Sequence, residues 1–216
     1  MINMKTIITS LLLMASIGLS AQKPAMRTIF TNMPDTLLSH LSNGNRLDLV
    51  DFVESGMEAK VADKLGDSVV LSKLTPDYLF LRLSAASSVE MKILPYGGKN
   101  PGPSATYIIC MVSTVGNEIK ESAVRFYTTD WKPIEILRQL EFGPSDFIAD
   151  TKVISDESIR FLIDKLCPLM ISASLSPDTT DLTLKLSIPL ISDEDKDKIK
   201  ALYTPKILKW DGKIFK

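Results

Sequence analysis

The chain has 216 residues, 45% hydrophobic and 24% charged, a composition that excludes disorder as its main state. Lysine and arginine number 25 against 26 aspartates and glutamates, a net charge of −1 with no basic block, which excludes a phosphate-tracking role on nucleic acid. Two cysteines, Cys110 and Cys167, allow at most one internal disulfide, so stability must come from an apolar core.

The first 21 residues carry one positive charge at Lys5, an apolar run from Ile7 to Leu19, and the small-residue ending Leu19-Ser20-Ala21 before Gln22. That is the pattern of a secretory signal peptide cleaved near Ala21. The run is shorter than the roughly 20 apolar residues a membrane span needs, and no cysteine follows it to take a lipid. Cleavage would leave 195 of the 216 residues with a net charge of −2, since Lys5 is the only charged residue lost. No later stretch approaches a membrane span, so the sequence predicts an exported chain, periplasmic or extracellular and soluble, with no transmembrane segment once mature.

After an extended lead over Arg27 to Asn32, Met33-Pro34-Asp35 opens a segment whose Leu37, Leu38 and Leu41 share one helical face. Asn43-Gly44-Asn45 breaks it. Leu47, Leu49, Val50 and Val53 predict a second short helix with Asp48, Asp51 and Glu54 outward, ended by Ser55-Gly56. The period then shifts toward 2, predicting strands at Val69 to Leu71, Leu79 to Leu83, Val89 to Leu94, Tyr107 to Val112 and Ala123 to Tyr127. Turn residues at Thr75-Pro76-Asp77 and Val115-Gly116-Asn117, and a loop over Tyr96 to Ser104, connect them without a long helical crossover, which favours antiparallel pairing. Ile134 to Leu140 reads as a short helix after Pro133.

The last third begins with Ser155-Asp156-Glu157 capping a helix that carries Ile159, Leu162, Ile163 and Leu166 and stops at Cys167-Pro168. Strands follow at Leu169 to Leu175 and Leu182 to Ile188. Ser192-Asp193-Glu194-Asp195 caps a helix to Leu202, and a basic strand-like tail runs from Lys206 to Lys216. The halves echo each other at an offset of 101 residues: Asp63-Lys64-Leu65 matches Asp164-Lys165-Leu166, and Leu74-Thr75-Pro76-Asp77 matches Leu175-Ser176-Pro177-Asp178. After a two-residue insertion, Leu79 to Ser84 matches Leu182 to Ser187. The fold class expected is α+β, a mainly antiparallel sheet with short helices on one face and the other face partly open. Residues 22–216 read as one domain, divisible into two helix-plus-hairpin units at about 33–140 and 150–216.

Chemistry-bearing patterns are scarce. His40 is the only histidine, so neither a histidine-cysteine metal cluster nor a triad assembles easily, and it reads as a helix surface residue. Gly97-Gly98 lacks the lysine-hydroxyl pair and helix start of a phosphate loop. Asp48, Asp51 and Glu54 follow at i, i+3 and i+6, without the glycine-centred turn of a calcium loop, and read as a solvated face. Cys110 and Cys167 are explained equally well as two small buried thiols or as a bridge. Trp131, close after Phe126-Tyr127, reads as core in preference to a ligand platform. No cofactor, metal or catalytic residue is assigned.

Met33-Pro34-Asp35 to Leu38, Asn45-Arg46-Leu47-Asp48, Asp51-Phe52, Leu74-Thr75-x-Asp77-Tyr78 and Phe126-Tyr127-x-Thr129-x-Trp131 together resemble an exported domain-of-unknown-function family of Bacteroidetes-type bacteria, as does the leader ending Leu19-Ser20-Ala21-Gln22. The resemblance implies periplasmic or surface residence in a Gram-negative cell and supplies no activity, ligand or catalytic residue. The function expected is therefore binding without catalysis, with a protein or peptide partner in the cell envelope and Asn45, Arg46, Asp48, Asp77 and Tyr78 as the candidate polar patch. The alternative is a hydrolase of envelope carbohydrate or peptide that draws two carboxylates from Asp48, Asp51 and Asp77.

Overall fold

The structure is a computed structural model that describes residues 23–98, 106–136, 142–148, 156–188 and 191–216. The signal-peptide reading, most of the Tyr96 to Ser104 loop, the later part of the helix expected at Ile134 to Leu140, and Ser155 lie outside the described residues. Within them the chain is α+β. Seven strands form one antiparallel sheet in sequence order: β1 (Lys60–Ala62), β2 (Ser68–Leu74), β3 (Tyr78–Arg82), β4 (Ser87–Pro95), β5 (Tyr107–Val115), β6 (Glu121–Thr128) and β7 (Pro133–Ile134). A three-stranded antiparallel sheet, in the order β10-β9-β8, comprises β8 (Met170–Leu175), β9 (Asp181–Ser187) and β10 (Lys206–Lys209). Four short α-helices complete it: α1 (Met26–Thr31), α2 (Asn43–Glu54), α3 (Glu157–Asp164) and α4 (Asp193–Leu202).

The central strands of the large sheet are buried on both faces, which is why β5 reads as a nearly continuous apolar run, while β4 buries Glu90 and Lys92 among its apolar residues. Successive side chains alternate between two cores. Val89, Met91 and Ile93 of β4, with Ile109 and Met111 of β5, join Ile29, Phe30, Leu49 and Val50 of α1 and α2 on the first face. Leu94, Ile108, Cys110 and Val112 join Leu175, Leu182 and Leu184 of the small sheet on the second. There β8 lies across β4, β5 and β6. Its outward edge does not go unpaired: the amide of Ala173 donates to Ser122 Oγ at 2.9 Å and that of Leu175 to Glu90 Oε2 at 2.8 Å.

The second face is thus partly open, but only beyond β8, where Lys60 and Arg82 are exposed. The two hairpins expected as repeats both form, β2–β3 in the large sheet and β8–β9 in the small one. Their strands do not join one sheet, and Asp63 to Leu65 lie in the β1–β2 turn whereas Asp164 to Leu166 end α3.

Four local expectations change. Arg27 to Asn32 is not extended, because Met26, Ile29 and Phe30 bury one face of α1. Leu37 to Leu41 is a series of turns, not a helix, because the carbonyls of Met33 and Leu41 accept from the Arg46 guanidinium. Asn43-Gly44-Asn45 is the first turn of α2, not a break: Ser42 Oγ accepts from the Asn45 amide and Asn45 Oδ1 from the Ser42 amide, a capping box. Ile134 pairs with Phe126 in β7, outside any helix. Trp131 takes φ 63° in the β6–β7 turn and is buried, its indole N–H bonded to the Ile29 carbonyl at 3.0 Å.

Candidate functional site

Asn45, Arg46 and Asp48 all lie on α2, against the first face of the sheet, and two of them are bound up in the fold. Arg46 is 1% exposed, its Nη1 donating to the Leu41 carbonyl at 2.8 Å and its Nη2 to Asp35 Oδ1 at 2.9 Å and to the Met33 carbonyl. Asn45 completes the capping box and reaches the Ala62 carbonyl at 3.2 Å. Asp48 is exposed.

Asp77 and Tyr78 belong to a different assembly, between the two sheets. Lys92, with only 3% of its side chain exposed, donates to Asp77 Oδ1 at 3.2 Å and to the Pro177 carbonyl at 2.8 Å. One ammonium therefore joins the two Pro-Asp turns that echo each other in the sequence. Lys23 pairs with the other Asp77 oxygen at 2.9 Å. Burial pushes the Asp77 carboxyl up, but the hydrogen bonds and charges of Lys23 and Lys92 outweigh it and hold the group below the usual aspartate range. The Tyr78 hydroxyl donates to Glu90 Oε2 at 3.0 Å, the oxygen that also accepts from Leu175. Burial raises the Glu90 carboxyl despite both bonds, and burial and the Glu90 charge raise Tyr78.

The five residues named from sequence therefore divide between opposite sides of the large sheet. Glu90 and Lys92 do not stand out in the sequence because their alternation with Val89, Met91 and Ile93 looks like a strand with a wet face. The carboxylates needed for hydrolysis divide in the same way: Asp48 and Asp51 are exposed on α2, and Asp77 is ion-paired at the sheet interface. Cys110 is buried, Cys167 exposed, and both are free thiols, so no bridge joins them and only one fits the buried-thiol reading. His40 is half-buried in a turn, its Nε2 3.9 Å from Asp63 Oδ2. Among the described residues no group of three His, Cys, Asp or Glu is placed to hold a metal.

A concavity of about 130 Å³ opens on the second face beside β8. Arg82, Ser88, Thr114 and Lys120 line it, and the turn residues Ser84 to Ser87 close one end. The strand register builds the row: Val70 stands opposite Arg82, Arg82 opposite Ser88, Ser88 opposite Thr114, and Thr114 opposite Ser122. Cross-strand neighbours on one face sit about 5 Å apart, so residues scattered over five strands become one surface. Lys120 comes from the β5–β6 turn, where its amide donates to Ser187 Oγ at 3.0 Å and the Ser187 hydroxyl donates to its carbonyl at 2.6 Å. No sequence motif marks this set; only the register assembles it.

Residues 16–215 match a family described as protein of unknown function (DUF3256). The chain belongs to that family. A solved domain of an uncharacterized protein from Porphyromonas gingivalis W83, a Bacteroidetes species, is similar with a TM-score of 0.73 over 89% of this chain and 97% of that one. At 21% identity it shows that the DUF3256 chain shares its fold and nothing more. No curated protein matches. Among the described residues no helix is long and apolar enough to cross a membrane.

Proposed function

We propose that this DUF3256 protein is exported to the cell envelope and acts there, without catalysis, as a binding protein that takes a protein or peptide partner on the uncovered part of its second sheet face. The observation that carries the reading is the concavity at Arg82, Ser88, Thr114 and Lys120, a hollow whose first three polar residues stand on strands and whose Lys120 comes from the β5–β6 turn, left open by the small sheet. Binding sites held on strands keep their geometry better than sites on loops. Export rests on the leader of Met1 to Ala21. The hydrolase alternative lacks a supporting geometry, since Asp48 and Asp51 stand apart from Asp77 and Asp77 is engaged by two lysines.

Affinity capture from cross-linked cells of the native envelope tests the reading. The wild-type protein should retain one stoichiometric envelope species. Arg82→Glu with Lys120→Glu should lose it, while Lys213→Glu, in the tail turn near the other end of β4, should keep it. Capture that survives the double reversal, or no specific species at all, would overturn the proposal.

A further inference from the structure

Every polar side chain that lines the concavity is a hydrogen-bond donor or a hydroxyl; no carboxylate lines it. Arg82 and Lys120 bring two positive charges to one hollow, and neither has an ion-pair partner among the described residues, whereas the cations buried between and under the sheets, Arg46 and Lys92, both meet carboxylates. The hydroxyls are unevenly satisfied. Ser84 and Ser87 bond each other at 2.9 Å, and Thr114 and Ser122 bond each other at 2.7 Å while Ser122 also accepts from the Ala173 amide. A pair of hydroxyls has two protons and its mutual bond uses one, so the Thr114–Ser122 pair retains a proton to donate. Ser88, between Arg82 and Thr114 in the row, has no side-chain hydrogen bond among the described residues.

A hollow with two unpaired cations, spare hydroxyl protons and no acceptor of matching charge is complementary to one kind of ligand. We infer that the concavity is an oxyanion site, which holds a carboxylate or phosphate group between Arg82 and Lys120 with Ser88 and Thr114 as neutral donors. The inference rests on the binding reading above and names the chemistry the partner must present there. The planar guanidinium offers two parallel N–H donors to an oxyanion, and the ammonium a point charge. The walls are fixed before the ligand arrives. Lys120 is anchored through both its backbone groups to Ser187, and Gly116, at φ 105°, donates its amide to the Ala86 carbonyl at 2.8 Å. The size fits a single charged group, since pockets for whole drug-sized ligands run to roughly 300–1,000 Å³.

Titration calorimetry of the purified protein at low ionic strength tests this with three probes: inorganic phosphate, N-acetylglutamate, and the neutral N-acetylglutamine amide. At least one anion should bind saturably while the neutral amide does not. Saturation by phosphate alone assigns the site to phosphate groups, by N-acetylglutamate alone to carboxylates, and by both to oxyanions in general. Arg82→Gln and Lys120→Gln should each weaken that binding about tenfold or more, the scale of a lost hydrogen bond to a charged group. Lys213→Gln should leave it unchanged. Absence of saturation by either anion, or equal weakening by Lys213→Gln, overturns the inference. An anion-silent protein whose envelope capture still depends on Arg82 and Lys120 would sink the oxyanion site and leave the binding reading standing.

Discussion

Arg46 shows how a polar residue that attracts attention in sequence can be part of the scaffold. Its guanidinium holds the carbonyls of Met33 and Leu41, which belong to turns with few other partners, and it is 1% exposed. Arg46→Ala would strand two carbonyls in the interior, at roughly 1–3 kcal/mol for each unsatisfied group. Lysine cannot span both acceptors in a planar fork, so Arg46→Lys should recover only part of the loss. Urea denaturation of both variants checks the order: wild type, then lysine, then alanine. Glu90 makes a prediction about pH. Its folded value lies above the ordinary glutamate value of about 4.3, so between the two the folded state binds more protons than the unfolded state, and stability falls as pH rises through that window. Asp77, held below its ordinary value, has the opposite sign: its contribution is present at neutral pH and is lost as pH falls. Both bonds to Glu90 reach one oxygen, which the amide oxygen of a glutamine can replace. Glu90→Gln should therefore keep the fold and remove the loss of stability on the alkaline side of that window, whereas Asp77→Asn should flatten the acid limb; denaturation midpoints from pH 3 to pH 8 separate the two.

The legibility of the elements depended on whether their signals were local. Strands β2 to β6, the hairpin β8–β9, and helices α3 and α4 follow from period and caps, because the Asp156 and Ser192 side chains do accept from the first-turn amides. Period and turn residues misled where a nearby side-chain bond overrides them. Asn43-Gly44-Asn45 looks like a break although Ser42 and Asn45, three residues apart, close a capping box, and Leu37, Leu38 and Leu41 keep helical spacing in turns whose carbonyls Arg46 holds. The site was less legible still: Arg82 and Lys120 are on different elements with no motif between them, and pair register alone brings Arg82, Ser88 and Thr114 into line. Gly116 is where an element depends on one residue. At φ 105°, an added Cβ would sit 1.9 Å from the Ile119 carbonyl oxygen, inside van der Waals contact. Gly116→Ala should cost about 2 kcal/mol by backbone strain and displace the turn that presents Lys120, which a shifted denaturation midpoint would register.

At the scale of the molecule, one seven-stranded sheet separates two cores, and the small sheet is held over the second face by side chains of the large sheet. Glu90 and Ser122 satisfy the edge of β8, and Lys92 joins the turns at Asp77 and Pro177. These attachments lie over β4 to β6, so the surface around Arg82 stays open as a consequence of where the small sheet is fastened. Hydrogen-exchange mass spectrometry of the protein, with and without its captured envelope partner, shows whether this open surface receives the partner. Added protection over residues 82–88 and 114–120, with α2 unchanged, is the expected result; protection confined to α2 around Asn45 to Asp51 would contradict it.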